Sequence, residues 1–272
     1  MKPLYTFLLI MATFAMATAQ DWKWLNPLPQ GSSLNCVIFA DVNTGYAVGD
    51  GGVMLKTTNG GAEWKCLSPV TNADLYSVFF TNPDNGFAAG TNMILKTTNG
   101  GDTWTQLPSG LDYTYSFTSV YFTDAQTGYI VGSGGSTSVI LKTTNGGALW
   151  TNQFSGTTFW VHAVFFPDEA AGYVVGYNGT MLKTTNGGAL WTNIGASPGN
   201  SWASVYFTDV NTGYAVGASG QIIKTTNGGV TWVSQESGTS AGLSSVQFMD
   251  ANTGCIVGQN GTILRTVNGG NT

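Results

Sequence analysis

A lysine or arginine followed by paired glycines recurs six times along the chain, and phosphate-binding loops use the same residue types. The first copy reads LKTTNGG from Leu55 to Gly61. A P-loop places its lysine after the glycines and continues into a helix, whereas here the lysine precedes the glycines and a strand is predicted to follow. We therefore interpret the phrase as a scaffold hairpin and not as a phosphate site. The other copies begin at Leu95, Leu141, Leu182, Ile223 and Leu264.

The basic residue of this phrase could also contribute to an anion-binding ring, because it occupies the same place in every copy. Positions shared by all repeats usually serve the packing of the repeat. A lysine can lay its aliphatic stem on a neighbouring unit and keep its head group in water. We expect this packing role at residues 56, 96, 142, 183, 224 and 265.

Paired carboxylates would indicate glycoside hydrolysis, since such enzymes use two acidic side chains, one of them with a raised pKa. The chain has 14 acidic residues, but five of them are the same turn residue in different repeats. The aspartate of DVNTG, at Asp41, fits the first position of a type I turn that ends in glycine, so a calcium loop is not needed to explain it. No acidic residue stands in a recognisable catalytic motif, and we predict no catalytic residue.

Metal-binding residue types are scarce. His162 is the sole histidine, and the three cysteines, Cys36, Cys66 and Cys255, are far apart in the sequence. This spacing does not match that of metal ligands, so we predict no metal site and no other cofactor. Three strand spacings separate Cys36 from Cys66 by about 14 Å, which is beyond the reach of a disulfide. We predict that these two cysteines are not bonded.

The charge of the chain excludes one class of partner and its N-terminus predicts export. Charged residues are 8% of the total, the net charge is −5 and Arg265 is the only arginine, so there is no basic stripe for nucleic acid. Lys2 precedes an apolar run that ends in the small residues Ala17–Ala19, which is typical of a secretory signal peptide. We predict cleavage after residue 19, no later membrane-spanning segment, and an extracellular, cell-surface or periplasmic location.

The repeats have the length of propeller blades. The lysine positions 56, 96, 142, 183, 224 and 265 are separated by 40, 46, 41, 41 and 41 residues, and periods near 40 indicate propellers or solenoids. Each unit contains an apolar strand pattern, a turn, a second strand, a tight Gly-containing hairpin, a third strand, the NGG turn and a fourth strand that starts at tryptophan. Over residues 20–272 this predicts an all-β propeller of four-stranded antiparallel blades.

The ends of the repeat array leave two arrangements open. Trp24 lies 15 residues before Phe39, and Trp64 lies 16 before Phe80, so the segment from Trp24 reads as a fourth strand without its blade. It either closes the sixth blade, which would remove a free edge, or belongs to a further blade of a longer, seven-bladed protein. We favour the longer protein, with the present chain truncated at its C-terminus.

The phrase TTNGGAEW, from Thr57 to Trp64, resembles the Asp-box or BNR repeat, S/T-x-D/N-x-G-x-x-W, with asparagine at the acidic position. Over residues 22–272 the units look most like BNR propellers of the photosystem II stability/assembly factor kind, as in SVYFTDVNTGYAVGASGQIIKTTNGGVTW. The resemblance implies a propeller, often seven-bladed, and a secreted bacterial surface protein. Related Asp-box propellers occur in xyloglucan-cleaving glycosidases and in sialidases, but a sialidase needs three arginines.

Functional residues are expected where the copies differ, and the third unit differs most. We predict a longer hairpin at Ser133–Ser138 and aromatic loops before three of the first strands, on the face opposite the NGG turns. The candidate ligand-binding residues are Tyr113, Tyr115, Phe159, Trp160, His162 and Trp202. We predict a non-catalytic module that binds or scaffolds protein or carbohydrate at the cell surface. The alternatives are a xyloglucan-cleaving type of glycoside hydrolase and a photosystem II assembly role.

Overall fold

The chain folds as an all-β propeller of six antiparallel blades, and both the fold class and the six repeats are as the sequence predicts. A computed structural model describes residues 31–112, 114–195 and 199–271, in which the strands form six antiparallel sheets. Five sheets have four strands, and the described part of the sixth has three. The predicted signal peptide, the Trp24 segment and Tyr113 lie outside the described residues.

The strands follow one another along each blade from the inside of the propeller outwards. Blade 1 contains β1 (Leu34–Phe39), β2 (Gly45–Gly49), β3 (Met54–Thr57) and β4 (Lys65–Cys66); blade 2 contains β5 (Leu75–Phe80), β6 (Gly86–Gly90), β7 (Met93–Thr97) and β8 (Thr105–Leu107); blade 3 contains β9 (Ser116–Phe122), β10 (Gly128–Gly134), β11 (Thr137–Thr143) and β12 (Thr151–Gln153). Blade 4 contains β13 (Val161–Phe165), β14 (Gly172–Gly176), β15 (Met181–Thr184) and β16 (Thr192–Asn193); blade 5 contains β17 (Trp202–Phe207), β18 (Gly213–Gly217), β19 (Ile222–Thr225) and β20 (Val233–Gln235); blade 6 contains β21 (Leu243–Phe248), β22 (Gly254–Gly258) and β23 (Ile263–Thr266).

Short turns join the second and third strands because their central residues adopt positive φ. Asn178 and Gly179 have φ of 52° and 73°, a conformation that asparagine and glycine tolerate and that two-residue hairpins require. Three of the described hairpins contain a single 3-10 turn, at Asp50–Gly52, Ala218–Gly220 and Gln259–Gly261. In the third unit the extra residues lengthen β10 and β11, so this hairpin is longer than the others, as predicted, and the additional length lies in its strands.

Aromatic triads form the core between successive blades. At the interface of blades 3 and 4, Tyr129 stacks on Phe166 with ring centroids 4.0 Å apart. Phe166 in turn meets the edge of Trp191, with centroids 5.9 Å apart and planes at 85°. Stacked and perpendicular contacts both suit the charge distribution of aromatic rings. The recurrent tryptophan therefore belongs to the packing of the blades.

A pair of hydrogen bonds from one blade to the NGG turn of the next explains the recurrent lysine. Lys142 Nζ and the Tyr129 hydroxyl both donate to the carbonyl oxygen of Gly187, at 2.6 and 2.8 Å. Burial, with a smaller effect of Asp124, raises the pKa of Tyr129 to about 12, so its hydroxyl remains a donor at neutral pH. The Lys142 head group thus lies over the Tyr129 ring of its own blade, 5.6 Å from the ring centroid, and binds a backbone oxygen of the next blade. The expectation that this head group stays in water is wrong.

The Asp-box phrase closes its own turn through side-chain hydrogen bonds. Gly188 N donates to Thr184 Oγ1 at 2.9 Å, and Asn186 Oδ1 accepts from Leu190 N at 2.9 Å. The asparagine side chain thus accepts from the amide four residues ahead of it. Thr184 is 1% exposed, so this turn is fully integrated into the blade.

The preceding turn also matches its structural interpretation. Asp41 Oδ1 accepts from the backbone N–H groups of Asn43 and Thr44 at 2.7 and 2.8 Å. These bonds, the one from Asn43 first, lower the pKa of the Asp41 carboxyl because they stabilise its charged form. The carboxylate thus serves the turn between β1 and β2.

The two ends of the array expose apolar residues that other blades bury. Each first strand packs on the next, from β1 on β5 to β17 on β21. Within residues 31–112, 114–195 and 199–271, no core cluster joins blade 6 to blade 1. Leu34, Val37 and Phe39 of blade 1 are accordingly exposed, as are Val257 and Ile263 of blade 6.

Candidate functional site

Most of the candidate aromatic residues lie where the first strands of blades 3 and 4 begin. Phe159 and Trp160 precede β13 and are 47% and 52% exposed. Two further exposed aromatic residues lie in connections at the same end of the blades: Phe154, which follows β12, and Tyr177, which follows β14, at 86% and 55%. We call Phe154, Phe159, Trp160 and Tyr177 the aromatic patch.

Hydrogen bonds hold Trp160 against two hairpins. Its Nε1 donates to the carbonyl oxygen of Gly135 at 3.2 Å, and its own carbonyl oxygen accepts from Tyr177 N at 2.7 Å. Val161 N donates to Ser133 Oγ at 3.0 Å. The ring is consequently fixed in direction although half of it faces solvent, which is the preorganisation that lowers the cost of binding a partner.

A second loop of the chain has the same backbone arrangement without the aromatic residues. In the loop after blade 3, Ser155 Oγ donates to Thr157 O and Phe159 N donates to Thr157 Oγ1. The loop after blade 5 repeats these two bonds with Ser237, Thr239 and Ala241. Glu236, Ala241 and Gly242 stand where the first loop has Phe154, Phe159 and Trp160. The loop conformation therefore does not require aromatic side chains at these three positions.

His162 is the extra residue of a β-bulge beside the patch. Val161 pairs with Gly176 and Ala163 with Val175, which leaves His162 unpaired in the ladder. Its ring centroid is 6.1 Å from that of Tyr177, and burial lowers its pKa, so the imidazole is neutral at pH 7. Bulges often aim side chains at sites. The same bulge position differs in every blade and carries Asn35, Tyr76, Thr118, His162, Ala203 and Ser244.

The other two candidates that the structure describes are placed differently. Tyr115 packs partly on the core of blades 2 and 3, and its hydroxyl lies 3.3 Å from Thr137 Oγ1. Trp202 is only 3% exposed because it is the first residue of β17 and not part of the preceding loop. Its backbone pairs with Gly217, as Val161 pairs with Gly176. Trp202 thus occupies a core position and is not part of the aromatic patch.

Sequence reasoning missed Phe154 and Tyr177. The repeats carry Ser68, Pro108, Gly195 and Glu236 at the position of Phe154, and Asp50, Thr91, Ser133, Ala218 and Gln259 at that of Tyr177. This variability at equivalent positions was the available signal.

The patch is uncharged, and within the described part of the chain no group of three or more His, Cys, Asp or Glu residues could hold a metal ion. Cys36, Cys66 and Cys255 are free thiols.

The arrangement suits binding of a neutral, partly apolar partner. Exposed aromatic rings supply large contact areas at low entropic cost. The structure contains no long apolar helix capable of crossing a membrane among the residues it describes.

Comparison with known families gives one match that extends over most of the chain. The model of the photosynthesis system II assembly factor YCF48 family matches residues 14–108, 64–157 and 196–272. These segments together include well over half of the 272 residues. No curated protein sequence is similar enough to count as a relative.

Several solved structures share the fold at low sequence identity. YCF48 from Cyanidioschyzon merolae is 19% identical, with a TM-score of 0.54 over 90% of this chain and 98% of that protein. A structure described as YCF48 bound to D1 peptide is 19% identical, with a TM-score of 0.52 over 89% of this chain and 95% of that one. The GH74 enzyme of Niastella koreensis is 20% identical, with a TM-score of 0.72 over 86% of this chain but only 45% of the enzyme. At such identities the likeness concerns the fold alone.

Proposed function

Because the chain belongs to the family of the photosynthesis system II assembly factor YCF48, we propose that it is a non-catalytic propeller that binds a polypeptide segment at the aromatic patch. One observation carries the proposal. Phe154, Phe159 and Trp160 are exposed in a loop whose hydrogen bonds recur in the loop after blade 5. That second loop carries Glu236, Ala241 and Gly242 at the three equivalent positions. The presence of the three aromatic residues calls for a role outside the scaffold.

A polypeptide is favoured over a charged ligand because the patch has no ionised side chain to attract one. A solved propeller of the same family is described as bound to a D1 peptide, which is a precedent for peptide binding by this kind of fold. The proposed ligand is an extended segment with apolar or aromatic side chains that pack on Trp160 and Tyr177. Its backbone would exchange hydrogen bonds with the hydroxyl and amide groups of the surrounding loops.

The test of this proposal is a double variant, Phe159→Ala with Trp160→Gly, which introduces the residues of the matching loop after blade 5. Peptides selected from a displayed random library on the purified protein, together with a D1 peptide, serve as probes. We expect at least a tenfold loss of affinity for the peptides that bind, since buried aromatic anchors dominate such interfaces. Stability should change by no more than about 0.5 kcal/mol.

A matched control is Val233→Ala, which removes an exposed apolar side chain from the outer strand of blade 5. It should leave peptide affinity unchanged. Equal affinities of the double variant and the parent, or the absence of any selected peptide, would contradict peptide binding at the patch.

The family relationship favours one specific form of this function, which is assistance in photosystem II assembly. A D1 peptide that binds the parent protein and not the double variant would support this form. Binding of selected peptides without binding of the D1 peptide would favour a general scaffold.

The glycoside hydrolase alternative is tested by incubating the purified protein with xyloglucan. Release of oligosaccharides would contradict a non-catalytic role.

Export is a further part of the proposal and follows from the N-terminal sequence. We expect the mature protein to begin at Gln20 when the full chain is expressed in a bacterium with a secretory pathway. Mass spectrometry of the intact protein from the periplasmic or extracellular fraction measures this start. An intact N-terminal methionine on protein in the cytosolic fraction would show that residues 1–19 do not act as a signal.

A further inference from the structure

The outer half of the interface between blades 4 and 5 contains a cleft of about 800 Å³. Such a volume lies within the range of small-molecule sites, about 300–1,000 Å³. The cleft is lined by Met181 and Ile194 of blade 4 and by Trp202, Ile223 and Trp232 of blade 5. Trp202, a residue of the core, therefore contributes to the wall of a cleft.

The equivalent positions are closed at the interfaces of blades 1 and 2, of blades 2 and 3, and of blades 3 and 4. In blades 2, 3 and 4 the aliphatic residue of the third strand and the tryptophan of the fourth are buried, whereas Ile223 and Trp232 of blade 5 are partly exposed. The buried counterparts are Leu95, Leu141 and Leu182 and the three tryptophans Trp104, Trp150 and Trp191. The same positions are thus closed at these three interfaces and open between blades 4 and 5.

Polar groups gather at one end of this cleft. Gln221 donates from Nε2 to Asn200 Oδ1 at 3.0 Å, while its Oε1 is buried without a hydrogen-bond partner. An unsatisfied buried oxygen is uncommon and calls for an explanation such as a bound group. Ser237, Thr239 and Ser240 continue the polar rim, and Glu236 is the single charged side chain among the described lining residues.

We infer that this cleft binds a neutral oligosaccharide. A sugar ring presents a C–H face that packs on aromatic and aliphatic surfaces such as Trp232 and Ile223, and its hydroxyl groups both donate and accept hydrogen bonds. Because Gln221 Oε1 is buried, the side chain must rotate before a sugar hydroxyl can donate to this oxygen and satisfy it. The lack of any cation in the described lining disfavours phosphorylated and other anionic ligands. This inference is independent of the peptide proposal, because the cleft shares no residue with the aromatic patch.

The test is isothermal titration of the full-length mature protein with cellopentaose, xylopentaose, mannopentaose and chitopentaose. We expect at least one of these to bind. Gln221→Thr should weaken that binding about tenfold or more, since it removes the carboxamide and introduces the residue found at this position in blades 4 and 6, Thr180 and Thr262. Ser234→Trp, at an exposed position in the cleft wall, should abolish binding by occupying the space.

Two controls separate this inference from the others. Thr262→Val, at the position equivalent to Gln221 in blade 6, and the double variant of the aromatic patch should both bind the oligosaccharide like the parent. The inference is overturned if no pentasaccharide binds, or if binding persists unchanged in Gln221→Thr and Ser234→Trp. Loss of a selected peptide's binding in those two variants, without any sugar binding, would assign the cleft to peptides instead.

Discussion

Replacing Trp191 with alanine is expected to lower the free energy of unfolding by about 3–5 kcal/mol. Trp191 is 5% exposed and packs edge-on against Phe166 in the core between blades 3 and 4. Its Nε1 has no hydrogen-bond partner, so the substitution leaves no acceptor unpaired and the loss comes from packing and the resulting cavity. Urea unfolding followed by circular dichroism measures the change.

The control for this prediction is Trp160→Ala, a substitution of the same type at a half-exposed residue. Because Trp160 contributes to a loop whose counterpart has glycine at this position, we expect a stability change within about 0.5 kcal/mol. A comparable loss of stability in the two variants would show that the recurrent tryptophans are not the packing centres of the blades. A large loss for Trp160→Ala alone would assign the aromatic patch a structural role.

The repeat explains why the fold could be predicted from the sequence. A residue that recurs in every unit makes contacts that recur in every blade or interface. Lys142 donates a hydrogen bond to the next blade, and Trp191 packs against Phe166 of its own blade. Periodicity therefore revealed the strands and the NGG turn. It did not reveal that the lysine head group binds the carbonyl oxygen of Gly187, because a sequence pattern does not specify which blade supplies the acceptor.

Single residues of the site were harder to predict for a physical reason. Trp202 and Trp160 are both tryptophans in non-repeated connections, yet one lies in a strand register opposite a glycine and is buried, while the other is exposed. Trp202 is equivalent to Val161, the residue after Trp160, so a difference of one position in the strand register separates these outcomes. Phe154 and Tyr177 join the patch only because the ends of β12 and β14 lie near the same loop, which is a property of the folded chain.

The second large effect is expected at the hairpin of blade 5, where Gly220→Ala should destabilise the protein by about 2–5 kcal/mol. Gly220 has φ of +72°, and a Cβ atom there would lie 1.9 Å from the carbonyl oxygen of Thr239. The loop after blade 5 rests on this hairpin, so the backbone of one of them must move. The penalty combines left-handed strain, about 1–2 kcal/mol, with the cost of overpacking.

Gly261→Ala provides a matched control for Gly220→Ala, because it changes the equivalent glycine of blade 6. Its φ is +71°, and no atom lies within 4 Å of the added Cβ, so only the conformational strain of about 1–2 kcal/mol applies. The difference between the two variants therefore isolates the contact between the Gly220 hairpin and the loop that carries Thr239. Chemical denaturation of both proteins under the same conditions gives this difference. Equal destabilisation would mean that the loop does not rest on the hairpin, and the polar end of the cleft beside Gln221 would then lose its wall.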